Sequence, residues 1–481
     1  MVTYFSHFKT NSLSVGQRCI NVWLLDKREF HGGRVFLLAV ISLFFSAASF
    51  ASNSFMTTKL IGGEGAANDF FGASLVLSEN TALITGKGGD SGSVHAFVRN
   101  SDTDFLNEQD KLTVSGLEDG EFFGHSMAVS GDTAVIGVGS DSHEGSAYVF
   151  IRNPDTGHWS EEFKLMASDG AIGNEFGKAV VLVEDTILIG ASGDDDNGPD
   201  SGSVYVFVRD PSTGVWVEQP KLTSRDGVAG DRFGHSLALS GNTVLIGAVN
   251  DDDLGRDSGA AYIFTRDEST SLWSEQAKLT ASDGNYWRKF GHSVSLSGDT
   301  ALIGEVYDDI KGSASGSGYI FVRDPTTGLW AEQVKLETDS GYGNSPFRGK
   351  AVALSGDAAL ISIFNSGGLP HRSGWVYFFS RDPANGLWTE RTKLQARQEG
   401  KSIGDGFAYS LALWEGTALI GAPFDDALLY GVGGKSGSVY VFQLDNEGPV
   451  SHSVNINPSS VLSNTPLSFT AIVDDRSFPK L

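Results

Sequence analysis

Runs of consecutive aspartates recur along this 481-residue chain and are its first candidates for metal chemistry. Clustered carboxylate oxygens are the ligands that hard cations such as Ca²⁺ take in proteins. Aspartate is also a common turn residue that caps its own backbone, and consecutive carboxylates lack the alternating spacing of a loop that wraps an ion. The sequence therefore predicts that no cofactor is required and that any calcium binding is weak. The candidate residues are Asp194, Asp195, Asp196, Asp251, Asp252, Asp253, Asp308, Asp309, Asp425 and Asp426.

Three histidines, His125, His235 and His292, each follow a Phe-Gly pair. If the fold is a ring of repeats, these three imidazoles could meet in its central channel, where they would suit zinc or copper. Other copies of the pair are followed by alanine, lysine or tyrosine, which favours histidines that are packed and hydrogen-bonded in the core.

Tryptophans recur in phase with a Lys-Leu pair, at Trp159, Trp216, Trp273, Trp330 and Trp388. Exposed rings at regular spacing could stack on sugars, but the fixed phase favours packing of an outer strand. No Ser, His and Asp set stands out from the repeated background, so the chain is predicted not to be an enzyme.

The elements that position these side chains come from an internal repeat. A Lys-Leu pair recurs seven times at spacings of 52 to 58 residues, and each copy is followed by a Phe-Gly pair or a degraded form of it. Within one copy, residues 290–297 alternate large and small side chains, which indicates a strand. Further strands are predicted at 300–304, 319–322 and 329–336, separated by tight turns or an acidic loop. The Lys-Leu pairs begin at Lys59, Lys111, Lys164, Lys221, Lys278, Lys335 and Lys393.

Four antiparallel strands in each of seven copies, with almost no helical pattern, predict an all-β fold, a seven-bladed β-propeller. The seventh copy stops after residues 438–442 and has no fourth strand that carries a tryptophan. The segment 54–61 contains Lys59-Leu60 and precedes the first Phe-Gly pair. We therefore expect 54–61 to close the ring as the outermost strand of the seventh blade.

The motifs resemble FG-GAP repeats, which build the seven-bladed propeller of integrin α-chain heads and of many bacterial surface proteins. The resemblance rests on Phe-Gly, on Ile-Gly-Ala as at 189–191 and 246–248, and on Gly-Ser-Val-Tyr-Val-Phe at 202–207 and 437–442, and it covers residues 59 to 443. It implies an adhesion-like binding role. The calcium-binding members carry an Asp-x-Asp/Asn-x-Asp-Gly loop between the first and second strands. Here that connection is only Ser-Gly-Asp or a relative, too short for an ion that needs six to eight oxygens, so the calcium site of the family does not transfer.

The 35 basic and 59 acidic residues give a formal net charge of −24, which disfavours nucleic acids and anionic membrane surfaces. Arg34, the apolar run Val35–Phe45 and the small residues Ser46–Ala51 are typical of a secretory signal, with cleavage expected after Ala51. The alternative is a retained membrane anchor, for which this segment is marginal in length. The long stretch before Arg34 also leaves open a translation start downstream of Met1.

These observations divide the chain into a signal region with a long preceding stretch at 1–51, a propeller at 52–449 and an incomplete immunoglobulin-like β-sandwich fragment at 450–481. The expected protein is secreted or on the cell surface, monomeric, and not inserted in a membrane after signal cleavage. We expect a non-catalytic interaction protein whose loops bind an extracellular protein or glycan. The alternatives are a propeller enzyme acting on polysaccharide and a spacer within a larger surface protein.

Overall fold

The computed structural model describes residues 10–15, 18–23, 55–62, 68–86, 91–103, 105–117, 121–139, 143–308, 315–338, 347–348, 351–365, 374–396, 405–425 and 435–444. These residues form strands and turns, and none of them is helical. The strands are β1 (Thr10–Val15), β2 (Arg18–Trp23), β3 (Phe55–Leu60), β4 (Leu75–Ser78), β5 (Thr81–Gly86), β6 (Ser93–Arg99), β7 (Leu106–Leu112), β8 (Phe122–Ser130), β9 (Thr133–Gly139), β10 (Ser146–Arg152), β11 (Trp159–Leu165), β12 (Ala179–Val183), β13 (Thr186–Ala191), β14 (Ser203–Arg209), β15 (Trp216–Leu222), β16 (Phe233–Ser240), β17 (Thr243–Ala248), β18 (Ala260–Arg266), β19 (Trp273–Leu279), β20 (Ser293–Ser297), β21 (Thr300–Asp308), β22 (Ser315–Arg323), β23 (Trp330–Glu337), β24 (Phe347–Arg348), β25 (Val352–Ser355), β26 (Ala358–Asn365), β27 (Gly374–Arg381), β28 (Trp388–Leu394), β29 (Leu411–Trp414), β30 (Thr417–Ala422) and β31 (Ser438–Gln443).

The chain divides into two compact units, Met1–Ser49 and Phe50–Leu481. In the first unit β1 and β2 pair as an antiparallel hairpin, which the sequence did not predict. The expected signal segment 35–51 and the expected sandwich fragment 450–481 lie outside the described residues. In the part of the chain that is described, no helix is long and apolar enough to cross a membrane.

The second unit consists of seven antiparallel sheets, which are the blades of a β-propeller. Blades 1 to 5 are β4–β7, β8–β11, β12–β15, β16–β19 and β20–β23, each a simple meander. In blade 6 the first strand is interrupted, so that β24 and β25 both pair with β26. Within each blade we name the strands A to D in this order. The A strands of successive blades contact one another in a closed circuit, and they therefore surround the axis of the ring.

Blade 7 consists of β29, β30 and β31, and the first strand of the propeller, β3, completes it as strand D, as the sequence predicts. Strand β3 pairs with β31, with Lys59 opposite Tyr440 and Leu60 opposite Val439. A parallel bridge between Phe71 and Gly437 links blade 7 to blade 1 and repeats the bridges seen at three other blade junctions. The ring is closed, and closure pairs the edge that blade 7 would otherwise expose.

The Phe-Gly and Gly-Ala motifs form the contacts between blades. Phe176 is fully buried, and its backbone forms a parallel bridge with Gly145 of the preceding blade. Its ring packs edge-on against Tyr205 of its own blade, with ring centroids 5.3 Å apart. Gly190 lies so close to the carbonyl oxygen of Gly234 in the next blade that a β-carbon there would stand 2.1 Å from it. Only glycine allows two blades to approach this closely, and this explains the Gly of Ile-Gly-Ala.

The tryptophans of strand D pack against the blades, which confirms the packing interpretation. Trp159 and Trp216 are buried, and Trp273, Trp330 and Trp388 are partly buried against the core. They follow the C–D turns, in which an aspartate, or Asn153 in the turn before Trp159, caps the following backbone. In blade 5 the Asp324 carboxylate accepts hydrogen bonds from the backbone N–H groups of two following threonines, at 2.8 Å each.

Candidate functional site

The acidic runs and the residues around the Phe-Gly pairs lie at one end of the ring. Because A and C run in one direction and B and D in the other, the B–C loops and the D–A loops between blades emerge at the same end. We call this end the upper face. Adjacent loops are joined there by backbone hydrogen bonds, such as Gly230 N–H to Pro199 O at 2.9 Å and Phe233 N–H to Ser201 O at 3.0 Å.

The acidic run of blade 3 is organised around a lysine of the same blade. The Lys221 ammonium lies 2.8 Å from Asp169 Oδ2, 2.8 Å from Asp196 Oδ2 and 3.4 Å from Asp194 Oδ2. Asp194 is buried, and the Tyr205 hydroxyl lies 2.8 Å from its Oδ2 and 2.6 Å from Asp169 Oδ1. The ammonium therefore offsets part of the charge of these three carboxylates with a cation that belongs to the chain.

Blade 4 repeats this cluster with tighter geometry. Lys278 Nζ lies 2.8 Å from Asp226, 2.7 Å from Asp251 and 2.6 Å from Asp253. Desolvation lowers the pKa of Lys278, but its hydrogen bonds to these carboxylates outweigh that effect and raise the pKa above the usual value for lysine. The lysine is therefore charged at neutral pH.

The middle aspartates of the runs cap turns. Asp195 Oδ1 accepts a hydrogen bond from the Asp200 N–H at 2.9 Å, and Asp252 Oδ1 accepts one from the Asp257 N–H at 2.8 Å. These contacts agree with the turn interpretation of the runs. Among the described residues no group of three or more His, Cys, Asp or Glu side chains is arranged to hold a metal ion. Weak calcium binding stays a prediction.

The other acidic candidates are only partly described. Asp425 of blade 7 is buried, 2.7 Å from Lys59 Nζ and 2.9 Å from the Tyr440 hydroxyl. Asp308 ends β21, and only the backbone of this residue is described. Asp309 and Asp426 lie outside the described residues.

In blade 5 a glutamate takes part in the corresponding cluster, and it was not among the predicted residues. Glu305 is fully buried, 2.9 Å from the Tyr319 hydroxyl and 3.9 Å from Arg288. Its signal in the sequence is a glutamate at the alanine position of Ile-Gly-Ala, where an acidic side chain must enter the blade.

The three histidines lie at the mouth of the ring on the upper face. The rings of His235 and His292 are neighbours, with centroids 5.2 Å apart. His125 is exposed, and its Nδ1 lies 3.2 Å from the backbone oxygen of Lys178. The prediction of a packed core histidine is therefore wrong for His125, because the residue after Phe-Gly faces the mouth of the ring there. Burial lowers the pKa of His235 to about 4, so this histidine is neutral at neutral pH.

The mouth is polar over blades 3 to 5. The residue before Phe-Gly is Glu175, Arg232 or Lys289 in these blades. Glu175 accepts hydrogen bonds from the Lys178 ammonium, at 2.9 Å, and from the Ser192 hydroxyl, and it lies 3.6 Å from Arg232 Nη1. The Lys289 ammonium donates to Asn250 Oδ1 at 2.9 Å. Glu175 is therefore paired with two cations, and Lys289 is hydrogen-bonded to a neutral amide.

The mouth is aromatic over blades 7, 1 and 2. Phe70 and Phe122 occupy the position before Phe-Gly, and the Phe424 ring packs edge-on against Phe70 at 5.9 Å and against Tyr409 at 5.8 Å. The Lys435 ammonium lies 5.8 Å from the Phe70 ring centroid and 5.7 Å from that of Phe424. A cavity of about 290 Å³ opens between these rings, lined by Phe70, Ala73, Phe122, Tyr409, Pro423 and Phe424. We call it the mouth pocket.

The Phe-Gly pairs at four blade junctions lie within segments that match the sequence profile of a known repeat. The profile of the FG-GAP repeat matches residues 106–150, 159–207, 216–264, 273–321 and 388–442, together just over half of the chain. The chain belongs to the FG-GAP repeat family. The match leaves out most of blade 6, where Phe347-Arg348 stands in place of the Phe-Gly pair of other FG-GAP blades.

Solved structures similar to this FG-GAP propeller include proteins named as gluconolactonase or 6-phosphogluconolactonase. Periplasmic gluconolactonase PpgL of Pseudomonas aeruginosa is 13% identical with a TM-score of 0.49, and the match covers 77% of this chain and 93% of that one. A Bacteroides uniformis protein named as a candidate 6-phosphogluconolactonase is 12% identical with a TM-score of 0.48, covering 72% and 90% of the two chains. No curated protein matches the sequence.

One prediction is corrected by these similarities. The expectation that the protein is not an enzyme is wrong as it stands, because the solved structures similar to the chain include proteins named as lactonases. The physical reason for the error is that a repeated scaffold can carry a catalytic group on one loop without disturbing the repeat. At these identities and TM-scores no reaction is carried over to this chain.

The backbone of the FG-GAP mouth is strained where these side chains stand. Phe70, Glu175, Arg232 and Lys289 have positive φ angles of 50°, 63°, 58° and 55°. Blade 7 has Gly406 at the same position, with φ 73°. A side chain in this left-handed region costs about 1 to 2 kcal/mol, a cost that glycine avoids. Side chains kept at such a position need a compensating role. In the polar half of the mouth, formed by blades 3 to 5, the ion pairs of Glu175 with Lys178 and Arg232 are such a role.

Proposed function

We propose that this FG-GAP propeller is an exported, monomeric binding protein whose upper face docks an extracellular partner protein, with an apolar side chain of that partner seated in the mouth pocket. The observation that carries the proposal is the pocket itself, whose six lining residues are four aromatics, a proline and an alanine. Concave, mainly aromatic surfaces are where ligands and partner anchors bind.

The chemistry of the lining favours a protein side chain over a sugar. Tyr409 carries the only polar side chain among the six lining residues. A sugar brings several hydroxyl groups, and each of them would lose its hydrogen bonds to water on entering such a cavity. A leucine, isoleucine or phenylalanine side chain gains free energy from the same transfer. Strain at Phe70, with φ 50°, supports a role for this ring that is not required by the repeat.

The test is a selection of displayed random peptides on the full chain, alongside a glycan array. We expect enriched peptides that share a large apolar residue and that bind Phe424→Ala at least tenfold more weakly, because the variant removes one wall of the pocket. Leu329→Ala is the matched control, since Leu329 is exposed in a C–D turn at the opposite end of the ring. Glycan binding that Phe424→Ala abolishes, or peptides that ignore this variant, would overturn the proposal.

Export is tested separately. We expect the full chain to leave an exporting host and the variant lacking residues 35–45 to remain inside. Equal retention of both chains would remove the exported part of the proposal and leave the binding part intact.

A further inference from the structure

A second exposed patch lies on the upper face between blades 4 and 5, and none of the roles above uses it. It consists of Leu254 and Arg256 in the B–C loop of blade 4, and of Tyr286 and Trp287 in the following D–A loop. Tyr286 is 64% exposed and Trp287 is 49% exposed. The two loops are joined by a hydrogen bond from the Trp287 N–H to the Arg256 carbonyl oxygen at 2.8 Å. We call these four residues the blade 4–5 patch.

Trp287 stands where the repeat uses glycine. Gly173 and Gly230 hold the corresponding position in blades 3 and 4, with φ angles of 93° and 96°. Trp287 adopts φ 65° at this position, although a bulky side chain is disfavoured there. Its ring is half exposed and therefore contributes little to a core. The repeat thus offers a less strained residue at this position, and the chain carries a large exposed ring in its place.

Arg256 is held in an orientation suited to an anion. Its guanidinium lies 4.6 Å from the centroid of the Trp287 ring, and its side chain is 70% exposed. The ion pair that the described residues offer it, to Asp257, is long at 4.0 Å. Stacking on an indole orders a planar guanidinium while leaving its N–H groups directed outward, and these groups bind a carboxylate through two parallel hydrogen bonds.

The surroundings of the Arg256 guanidinium are apolar. Leu254 is exposed and covers Gly284, where a β-carbon would stand 2.5 Å from Leu254 Cδ1. The ring of Tyr286 lies across Gly255, 3.2 Å from the position of a β-carbon there. Each glycine thus makes room for an exposed apolar side chain of the facing loop. Sugars stack on aromatic faces and gain little from an exposed leucine, whereas Trp, Tyr and Arg beside an aliphatic residue are typical of a protein contact.

We infer that the blade 4–5 patch is a second anchor for a partner protein, and that it takes a carboxylate side chain on Arg256 with an adjacent apolar side chain against Tyr286, Trp287 and Leu254. This inference deepens the proposed function and rests on it for the protein nature of the partner. The charge complementarity is local: the chain as a whole is acidic, at −24, and Arg256 offers an oriented cation on that background.

The test uses random peptides displayed on phage and selected on the full chain. Peptides that bind the patch are expected to carry Asp or Glu next to Leu, Ile or Phe, and to bind Arg256→Gln and Trp287→Gly at least tenfold more weakly. Leu329→Ala is the control for exposed apolar surface. Trp287→Gly restores the residue of the repeat, so we expect its thermal midpoint to equal or exceed that of the parent chain. Loss of binding therefore cannot be attributed to loss of the fold.

Three results separate this inference from the proposed function. If every enriched peptide depended on Phe424 and none responded to either patch variant, the inference would be overturned and the proposed function would stand. If every enriched peptide depended on Arg256 and Trp287 and none depended on Phe424, the second anchor would be supported and the mouth pocket overturned. A Trp287→Gly variant with a lower midpoint would show that the indole is structural, and binding of an acidic glycan in place of peptides would overturn the inference.

Discussion

The two halves of the ring mouth use the same backbone positions in opposite ways. In blades 3 and 4 the residues before Phe-Gly, Glu175 and Arg232, belong to one network of charges that compensate each other. In blades 1 and 2 the same position holds Phe70 and Phe122, whose rings line a cavity. The comparison teaches that a cluster of charged side chains in a repeat protein does not indicate a binding site when those side chains are paired with one another. A ring that lines an open cavity is the better guide.

The largest effect on stability is expected from deleting residues 52–61. These residues complete blade 7, which contributes Tyr409, Pro423 and Phe424 to the mouth pocket. The deletion removes β3, exposes the hydrogen-bonding edge of β31, and takes away the Lys59 partner of buried Asp425. Burying a charge without its partner adds to the lost apolar burial. We expect the free energy of unfolding in urea to fall by several kcal/mol. A parent-like urea midpoint would show that blade 7 stands on three strands.

Removing the lysine from an acidic cluster tests whether that cluster is structural. Lys278→Met leaves Asp226, Asp251 and Asp253 without their shared cation, and we expect a loss of about 3 kcal/mol, less than for a fully buried pair because Asp226 and Asp253 are partly exposed. Millimolar calcium should recover part of the loss in Lys278→Met while raising the midpoint of the parent chain only slightly.

The control for the lysine variant removes both sides of the ion pair. Lys278→Met combined with Asp226→Asn and Asp251→Asn should regain most of the stability, because few charges remain to be compensated. A large calcium-selective rise in the parent chain would instead make the acidic loops metal sites.

A buried carboxyl in the polar half gives a pH dependence of known sign. Burial raises the pKa of Asp231 to about 6, and the nearby Asp251 carboxylate adds to the shift. Since the native state binds this proton more tightly than the unfolded state, with its usual pKa near 3.9, the stability of the parent chain falls as the pH rises between about 4 and 6. Asp231→Asn should therefore be more stable by about 2 kcal/mol at pH 7.5 and equal at pH 3.5, measured by urea unfolding. A constant difference across this range would contradict the assignment.

The smallest effect compares two strained positions directly. Phe70→Gly and Glu175→Gly both relieve a positive φ angle, a gain of about 1 kcal/mol. Phe70→Gly should leave the thermal midpoint unchanged or higher, because the ring lost lines a cavity. Glu175→Gly should lower the midpoint, because Lys178 and Arg232 lose their partner. Equal shifts in the two variants would erase the distinction between the halves.

The blade architecture follows from sequence spacing because each copy carries its own strands and turns. Ring closure follows from the missing fourth strand of the seventh copy. The acidic clusters do not follow from the sequence, because Lys278 belongs to a Lys-Leu pair that recurs in every copy and carries no sign of its partners. Only the register that places Tyr262 opposite Lys278 brings its ammonium to Asp251. The mouth pocket was missed for a related reason: its walls come from blades 7, 1 and 2, which meet only in the closed ring, although the doubled phenylalanine at Phe70-Phe71 was a visible signal.

Closure by the N-terminal strand also determines when the propeller can be finished. Ser410 donates its hydroxyl hydrogen bond to the carbonyl oxygen of Gly72, 338 residues away along the chain. Contacts of such sequence separation form late, because the entropy of closing the loop is lost before the contact repays it. Until β31 has been synthesised, β3 has no partner strand, so the first strand of the propeller can join a sheet only after the last one has been made. A chain that folds as it emerges can complete blades 1 to 6 one by one, but the mouth pocket comes into existence in the last step.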